Sequence, residues 1–254
     1  MHARSSLPVQ EHLITVELTL PSSTAALLPG TGSDDTFVRA AFERPLRLMG
    51  IRLLAPFPAP GAGIVENAFA ALDDAAERSP APLIVGGVSF GAHIAAAWSL
   101  RNPRRCAGLL IALPAWSGQP DGAPAARAAH LWATWVRENS LDNALTLATR
   151  DVRPWLAREL HRTWRRHGAG LADGLDAAAT HPAPEPAELR ALDVPAGIAT
   201  CTDDAVHPTT VAEDWARALP AAEVQRSTLG ALEHGRDPLG RAALLALLRA
   251  VSRR

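Results

Sequence analysis

The chain has neither lysine nor tyrosine, so its 25 strongly basic side chains are all arginines. That absence removes lysine Schiff-base chemistry, a serine–lysine dyad and a tyrosine proton donor from the available mechanisms. Cysteine is scarce: Cys106 and Cys201 lie 95 positions apart, each within an apolar run. They read as two buried reduced thiols rather than a disulfide, and their spacing does not suit a metal. There is no H-E-x-x-H motif, and no G-x-G-x-x-G opens the first strand-to-helix turn, so neither a metal nor a cofactor is expected. A net charge of −1 gives no electrostatic reason for nucleic-acid or membrane binding. No run approaches the roughly 20 apolar residues of a membrane span. Residues Met1 to Gln10 lack the apolar core of a secretory signal. The expectation is a soluble cytoplasmic protein, monomeric or homodimeric, whose partner is a small molecule.

What is present is a chain of 254 residues, 48% apolar, enough for one large α/β domain or a domain with an insertion. Leu13–Leu20 alternates like a half-exposed edge strand. A short apolar run, Thr24–Leu28, enters Pro29-Gly30-Thr31-Gly32-Ser33, after which Asp34 or Asp35 can cap a helix to about Glu43. Ile51–Ala55 reads as a strand, Ile64–Glu77 as a helix, Pro82–Gly87 as a strand and the following stretch to Leu100 as a helix. Cys106–Leu113 is a continuous apolar run, as expected of a strand covered on both faces.

From 114 to 192 the strand-like runs stop. Helical patterns span Ala123–Asn139, Leu141–Thr149, Pro154–His167 and Leu171–Ala179, and five of the seven tryptophans fall there. Alternation then resumes with strands at Val194–Thr200 and Glu223–Thr228 and helices at Val211–Leu219 and Pro238–Val251. The pattern predicts an α/β fold in which a mainly parallel central sheet is covered by helices on both faces. Residues 1–113 and 193–254 would form its core domain, with 114–192 as a helical insertion.

Chemistry concentrates at Gly87-Val88-Ser89-Phe90-Gly91, a G-x-S-x-G pentapeptide set between a strand and a small-residue helix. That order suits a nucleophile elbow, in which a sharp turn exposes the serine hydroxyl and the next helix aims its first amides at the same spot. A serine needs a base, and the base needs an orienting acid. The strand ending at Thr200 runs into Asp203-Asp204, and the last strand runs into Glu233-His234-Gly235. The chain order is therefore Ser89, then Asp204 or Asp203, then His234. His207 sits on the acid loop and His93 in the elbow helix, where neither is expected to reach Ser89 as base. His130, His161, His167 and His181 fall in the insertion and read as solvated.

These residues together resemble the α/β-hydrolase superfamily over nearly the whole chain, about Leu13 to Val251. Asp204-Ala205-Val206-His207-Pro208 matches the D-x-x-x-P loop that carries the family acid, and Glu233-His234-Gly235 matches its terminal histidine loop. The resemblance implies Ser89 as nucleophile, His234 as base and Asp204 as acid, chosen over Asp203 because it stands four residues before Pro208. It implies a helical lid at 114–192. The oxyanion would be held by the backbone N–H groups of Phe90 and Thr31, although Pro29 stands where the family usually has histidine.

The expected activity is hydrolysis of a small, apolar carboxylic ester through an acyl-enzyme on Ser89. The same residues serve a thioesterase, lactonase, C–C hydrolase or cofactor-free perhydrolase, because the fold does not fix the reaction. A non-catalytic small-molecule binder with the same pocket is the alternative from another class. Elbow aspartate and elbow cysteine chemistries are set aside by the serine itself.

Overall fold

A computed structural model describes residues 20–254. The expected edge strand at 13–20 falls almost wholly outside them. Six strands, β1 (Thr24–Leu28), β2 (Arg52–Leu54), β3 (Leu83–Val88), β4 (Cys106–Ala112), β5 (Ala196–Cys201) and β6 (Ala222–Ser227), form one sheet in the order β2-β1-β3-β4-β5-β6. Every pairing is parallel. Successive residues of a strand face opposite sides, so apolar runs bury on both. Ile84 and Leu110 meet Phe42, Leu46, Leu239 and Leu247 on one face. Val85, Leu109 and Ile111 meet Leu72, Ile94, Trp98 and Trp215 on the other.

The first face is covered by α1 (Asp35–Leu48) and α10 (Asp237–Ser252), and the second by α2 (Ile64–Glu77), α3 (Phe90–Arg101) and α9 (Thr209–Ala218). Between β4 and β5 come α4 (Pro124–Glu138), α5 (Leu141–Ala148), α6 (Pro154–His167), α7 (Leu171–Thr180) and the single-turn α8 (Pro186–Leu189). The first and third of these open on a proline, whose missing N–H costs nothing at a helix start. Alanines 126, 129 and 133 of α4 and alanines 172, 178 and 179 of α7 are buried in the same apolar cluster as β3 and β4, so these helices continue the sheet's core. None of the described helices is long and apolar enough to cross a membrane. Both cysteines are buried and free of disulfides; burial, assisted by the Asp204 and Asp203 charges, pushes the Cys201 thiol up to about 12.

Helix α1 runs five residues past its expected end, through Pro45. Proline removes the N–H that would bond the Ala41 carbonyl, which is instead covered by the backbone of α10 at Gly240. A Cβ at Gly240 would stand 2.0 Å from that oxygen. Gly240→Ala therefore forces the two helices apart. It is expected to lower unfolding free energy by about 1–3 kcal/mol in urea titration; a loss below about 0.5 kcal/mol would show that the contact has slack.

Candidate functional site

The elbow forms because three backbones converge. Ser89 has φ 53° and ψ −117°, a conformation with positive φ that few residues adopt. Its N–H is held by Ala112 O of β4 at 2.9 Å, and its carbonyl accepts the amides of Ala92 and His93 to start α3. The glycines of the motif answer to crowding. A Cβ at Gly91 would lie 2.5 Å from Pro29 O and 2.6 Å from Leu28 O, and one at Gly87 2.5 Å from Leu28 O. This close approach brings the loop after β1 against the elbow. Gly30 and Thr31 then line the same cavity as Ser89 and Phe90. Phe90 is the first residue of α3 and has no helical acceptor for its N–H.

The structure does not bring His234 to Ser89; it brings His207. His207 Nε2 lies 3.0 Å from Ser89 Oγ, and His207 Nδ1 lies 2.8 Å from Asp204 Oδ2. A carboxylate only accepts, so Nδ1 carries a proton towards Asp204, and Nε2, when unprotonated, accepts from the serine hydroxyl. The cause is local. Asp204 Oδ1 accepts the amides of Val206 (2.8 Å) and His207 (3.2 Å), a tight turn that folds the ring of residue i+3 back over the carboxylate. Burial disfavours the Asp204 charge. The His207 charge and hydrogen bond, with the two amides, outweigh it and hold the carboxyl below the usual range.

The neighbouring Asp203 has a different task. Its oxygens accept the amides of Leu229 (2.5 Å) and Gly230 (3.3 Å), and Oδ2 also pairs with Arg153 of α6 at 2.9 Å. That fixes the loop after β6 so that Leu229 and Leu232 line the cavity, while His234 is carried outward to an exposed position away from it. The sequence signal for His207 was present, an aspartate three residues before a histidine at a helix entry, but it was absorbed into the acid loop.

The cavity above Ser89 measures about 180 Å³. Its wall is chiefly apolar, with Phe37, Leu113, Trp116, Trp132, Trp155 and Leu160 prominent. Three of the five tryptophans between residues 114 and 192 thus line this space. His93 is fully buried between Trp116 and Trp215, with Nε2 accepting the Ala115 N–H at 3.0 Å. Burial first, then the nearby His207 and His181 charges, pushes it down to about 3, so it stays neutral.

Helix α6 meets the loop after β1. Asp34 is wholly buried, caps α1 through the amides of Thr36 and Phe37, and pairs with Arg162 and Arg166. His167, expected to be solvated, is 5% exposed and donates from Nε2 to Ser33 O at 2.8 Å.

Residues 61–235 match the model of a family described as serine aminopeptidase, S33. No curated protein has a significantly similar sequence. Among solved structures, BpoC of Mycobacterium tuberculosis H37Rv, a candidate non-heme bromoperoxidase, is similar at a TM-score of 0.69 and 18% identity, over 91% of this chain and 93% of that one. An esterase from Thermogutta terrifontis is similar at 0.58 and 21% identity, over 83% and 81% of the two chains. An enol-lactonase from Burkholderia xenovorans LB400 is similar at 0.52 and 17%, over 78% and 80%.

Burial opposes the Asp34 charge, but the hydrogen bonds from Arg162, Arg166 and the Phe37 amide lower its pKa to about 2. A carboxyl depressed from about 3.9 stabilises the fold fully above that value and loses the contribution as pH falls toward 2. Asp34→Asn is therefore expected to cost about 2 kcal/mol at pH 7. In unfolding titrations the gap from the parent protein should close between about pH 4 and pH 2. A gap that persists unchanged to pH 2 would deny the charge its role.

Proposed function

The chain belongs to the serine aminopeptidase S33 family of the α/β-hydrolase superfamily, and from that membership we propose that it is a serine hydrolase of small carboxylic esters. The observation that carries the reading is the hydrogen-bonded series Ser89–His207–Asp204, which opens on an apolar cavity. Ser89 Oγ attacks the ester carbonyl while His207 Nε2 takes its proton. Asp204 holds the imidazole in the tautomer required and offsets its positive charge. The Phe90 and Thr31 amides receive the oxyanion. Collapse of the tetrahedral intermediate breaks the ester C–O bond, and His207 returns the proton to the departing alcohol. Water then attacks the acyl-enzyme, giving its proton to His207, and the acid and free Ser89 are released.

The base in this reading is His207 and not His234, the histidine expected from the sequence. The helices of 114–192 serve as the lid, with α4, α6 and α7 supplying cavity wall. An engineered apolar cavity of about 150 Å³ holds a single benzene, so the space above Ser89 suits one aromatic ring or a short acyl chain.

Fluorophosphonate labelling and hydrolysis of 4-nitrophenyl esters test this reading. Ser89→Ala should abolish the adduct, and His207→Ala should lower kcat/KM by about 10⁴-fold. His234→Ala should stay within about 2-fold of the parent, since its side chain is remote from the cavity. Butyrate should be preferred to laurate. An intact adduct in the His207 variant, or a loss in the His234 variant as large as that in His207, would overturn the assignment.

A further inference from the structure

The loop after β1 carries Thr31, the oxyanion donor of that reading, yet within the loop a single backbone hydrogen bond closes the turn, Ser33 N–H to Gly30 O at 3.0 Å. Its outer support comes from α6, more than a hundred residues later. Arg162 Nη1 donates to Asp34 Oδ2 at 2.5 Å and Nη2 to Asp34 Oδ1 at 2.9 Å, a two-pronged grip on a fully buried carboxylate. Arg166 adds a bond to Asp34 Oδ2 at 2.8 Å and one to Asp35 at 2.5 Å. His167 holds the Ser33 carbonyl, and the Trp164 indole nitrogen lies 3.2 Å from where a side chain on Gly32 would begin.

The other partner of Arg162 is informative. Its Nη2 also donates to Glu159 Oε2 at 2.7 Å, and Glu159 lines the cavity. One guanidinium thus bridges the cavity wall supplied by the insertion and the carboxylate three residues after Thr31. Asp34 would cap α1 without it, since the Thr36 and Phe37 amides already occupy Oδ1. The arginine grip is additional to that cap, and it fixes the loop to α6 rather than to α1.

We propose that Arg162 is a positioning residue for the oxyanion loop, so that the reactivity of Ser89 depends on how α6 of the insertion is seated. The inference rests on the serine hydrolase reading above. Removing Arg162 leaves the buried carboxylate with its two capping amides and a single bond from Arg166, and without the fork the loop is free to shift relative to α6. A shift of about 1 Å in a positioning group can cost about 10²-fold in rate. The loss belongs to kcat, because the oxyanion exists only after attack.

The test uses Arg162→Met, Arg162→Lys and Arg166→Met with 4-nitrophenyl butyrate. A butyl boronic acid serves as the probe that forms a tetrahedral adduct on Ser89. Arg162→Met is expected to lower kcat by about 10–100-fold with KM within about 3-fold, and to weaken the boronic acid in proportion to kcat. Arg162→Lys should fall between, because an ammonium cannot make the forked pair. Arg166→Met, which leaves the fork in place, should lose less than about 3-fold. Parent kcat and boronic acid affinity in Arg162→Met overturn the proposal, as does a change confined to KM or to melting temperature. If the methionine variant does not fold, the lysine variant decides by the same readings. A parent protein that takes no fluorophosphonate label overturns the hydrolase reading and this proposal with it. Labelling at equal rates in parent and variants overturns the clamp alone.

Discussion

One carboxylate, half-buried at the end of β5, organises the chemical centre. Asp204 spends one oxygen on the amides of Val206 and His207 and the other on the His207 ring. The same group therefore folds the turn, fixes the tautomer and directs the far nitrogen at Ser89. Each role supports the others, because the amide bonds that curl the chain also lower the proton affinity of the carboxyl. The rest of the sheet has only to deliver β5 at the correct distance from the elbow at the end of β3, with β4 between them.

Helix α6 is the second organiser, and its contacts reach three loops at the C-terminal edge of the sheet. Arg162, Arg166 and His167 hold the loop after β1, and Arg153, at the helix N-cap, pairs with Asp203 after β5. Trp155 bonds through Nε1 to Leu229 O after β6 and carries Arg236 stacked on its ring at 4.2 Å. Between these polar anchors the helix presents Trp155, Leu156 and Leu160 to the cavity. The helix thus combines ion pairs that tie it to the surrounding loops with an apolar surface over the serine.

Much of this was legible in the chain because the causes are local. The elbow glycines are read directly, since the crowding that requires them involves strands whose apolar runs are themselves visible. Periodicity found Ile64–Glu77 and Pro154–His167 to the residue. What stayed hidden depends on which surfaces meet. His167 lies on a helix whose pattern does not say that its face meets Ser33, and the tryptophans of α4 and α6 could as well have faced the sheet as a cavity. The spacing to Pro208 distinguishes Asp204 from Asp203 in the sequence, but the task of Asp203 is set by the amides of Leu229 and Gly230, 26 and 27 residues away. His207 is masked by sharing the acid's own loop, although an aspartate whose i+2 and i+3 amides bond back to it brings the side chain of i+3 within its reach.

Placing the acid and the imidazole on one turn also changes what the scaffold must keep constant. When three groups come from three loops, two independent inter-loop distances have to survive thermal motion and mutation. Here the Asp204–His207 geometry is set within four residues and travels as a unit, leaving the 3.0 Å gap to Ser89 as the single long-range coordinate. Tolerance to change is then unevenly distributed. The segment after β6 is held by Asp203 and Trp155 at Leu229 and Gly230, whereas the separation of β3 from β5, one strand apart, becomes the dimension along which the centre can fail.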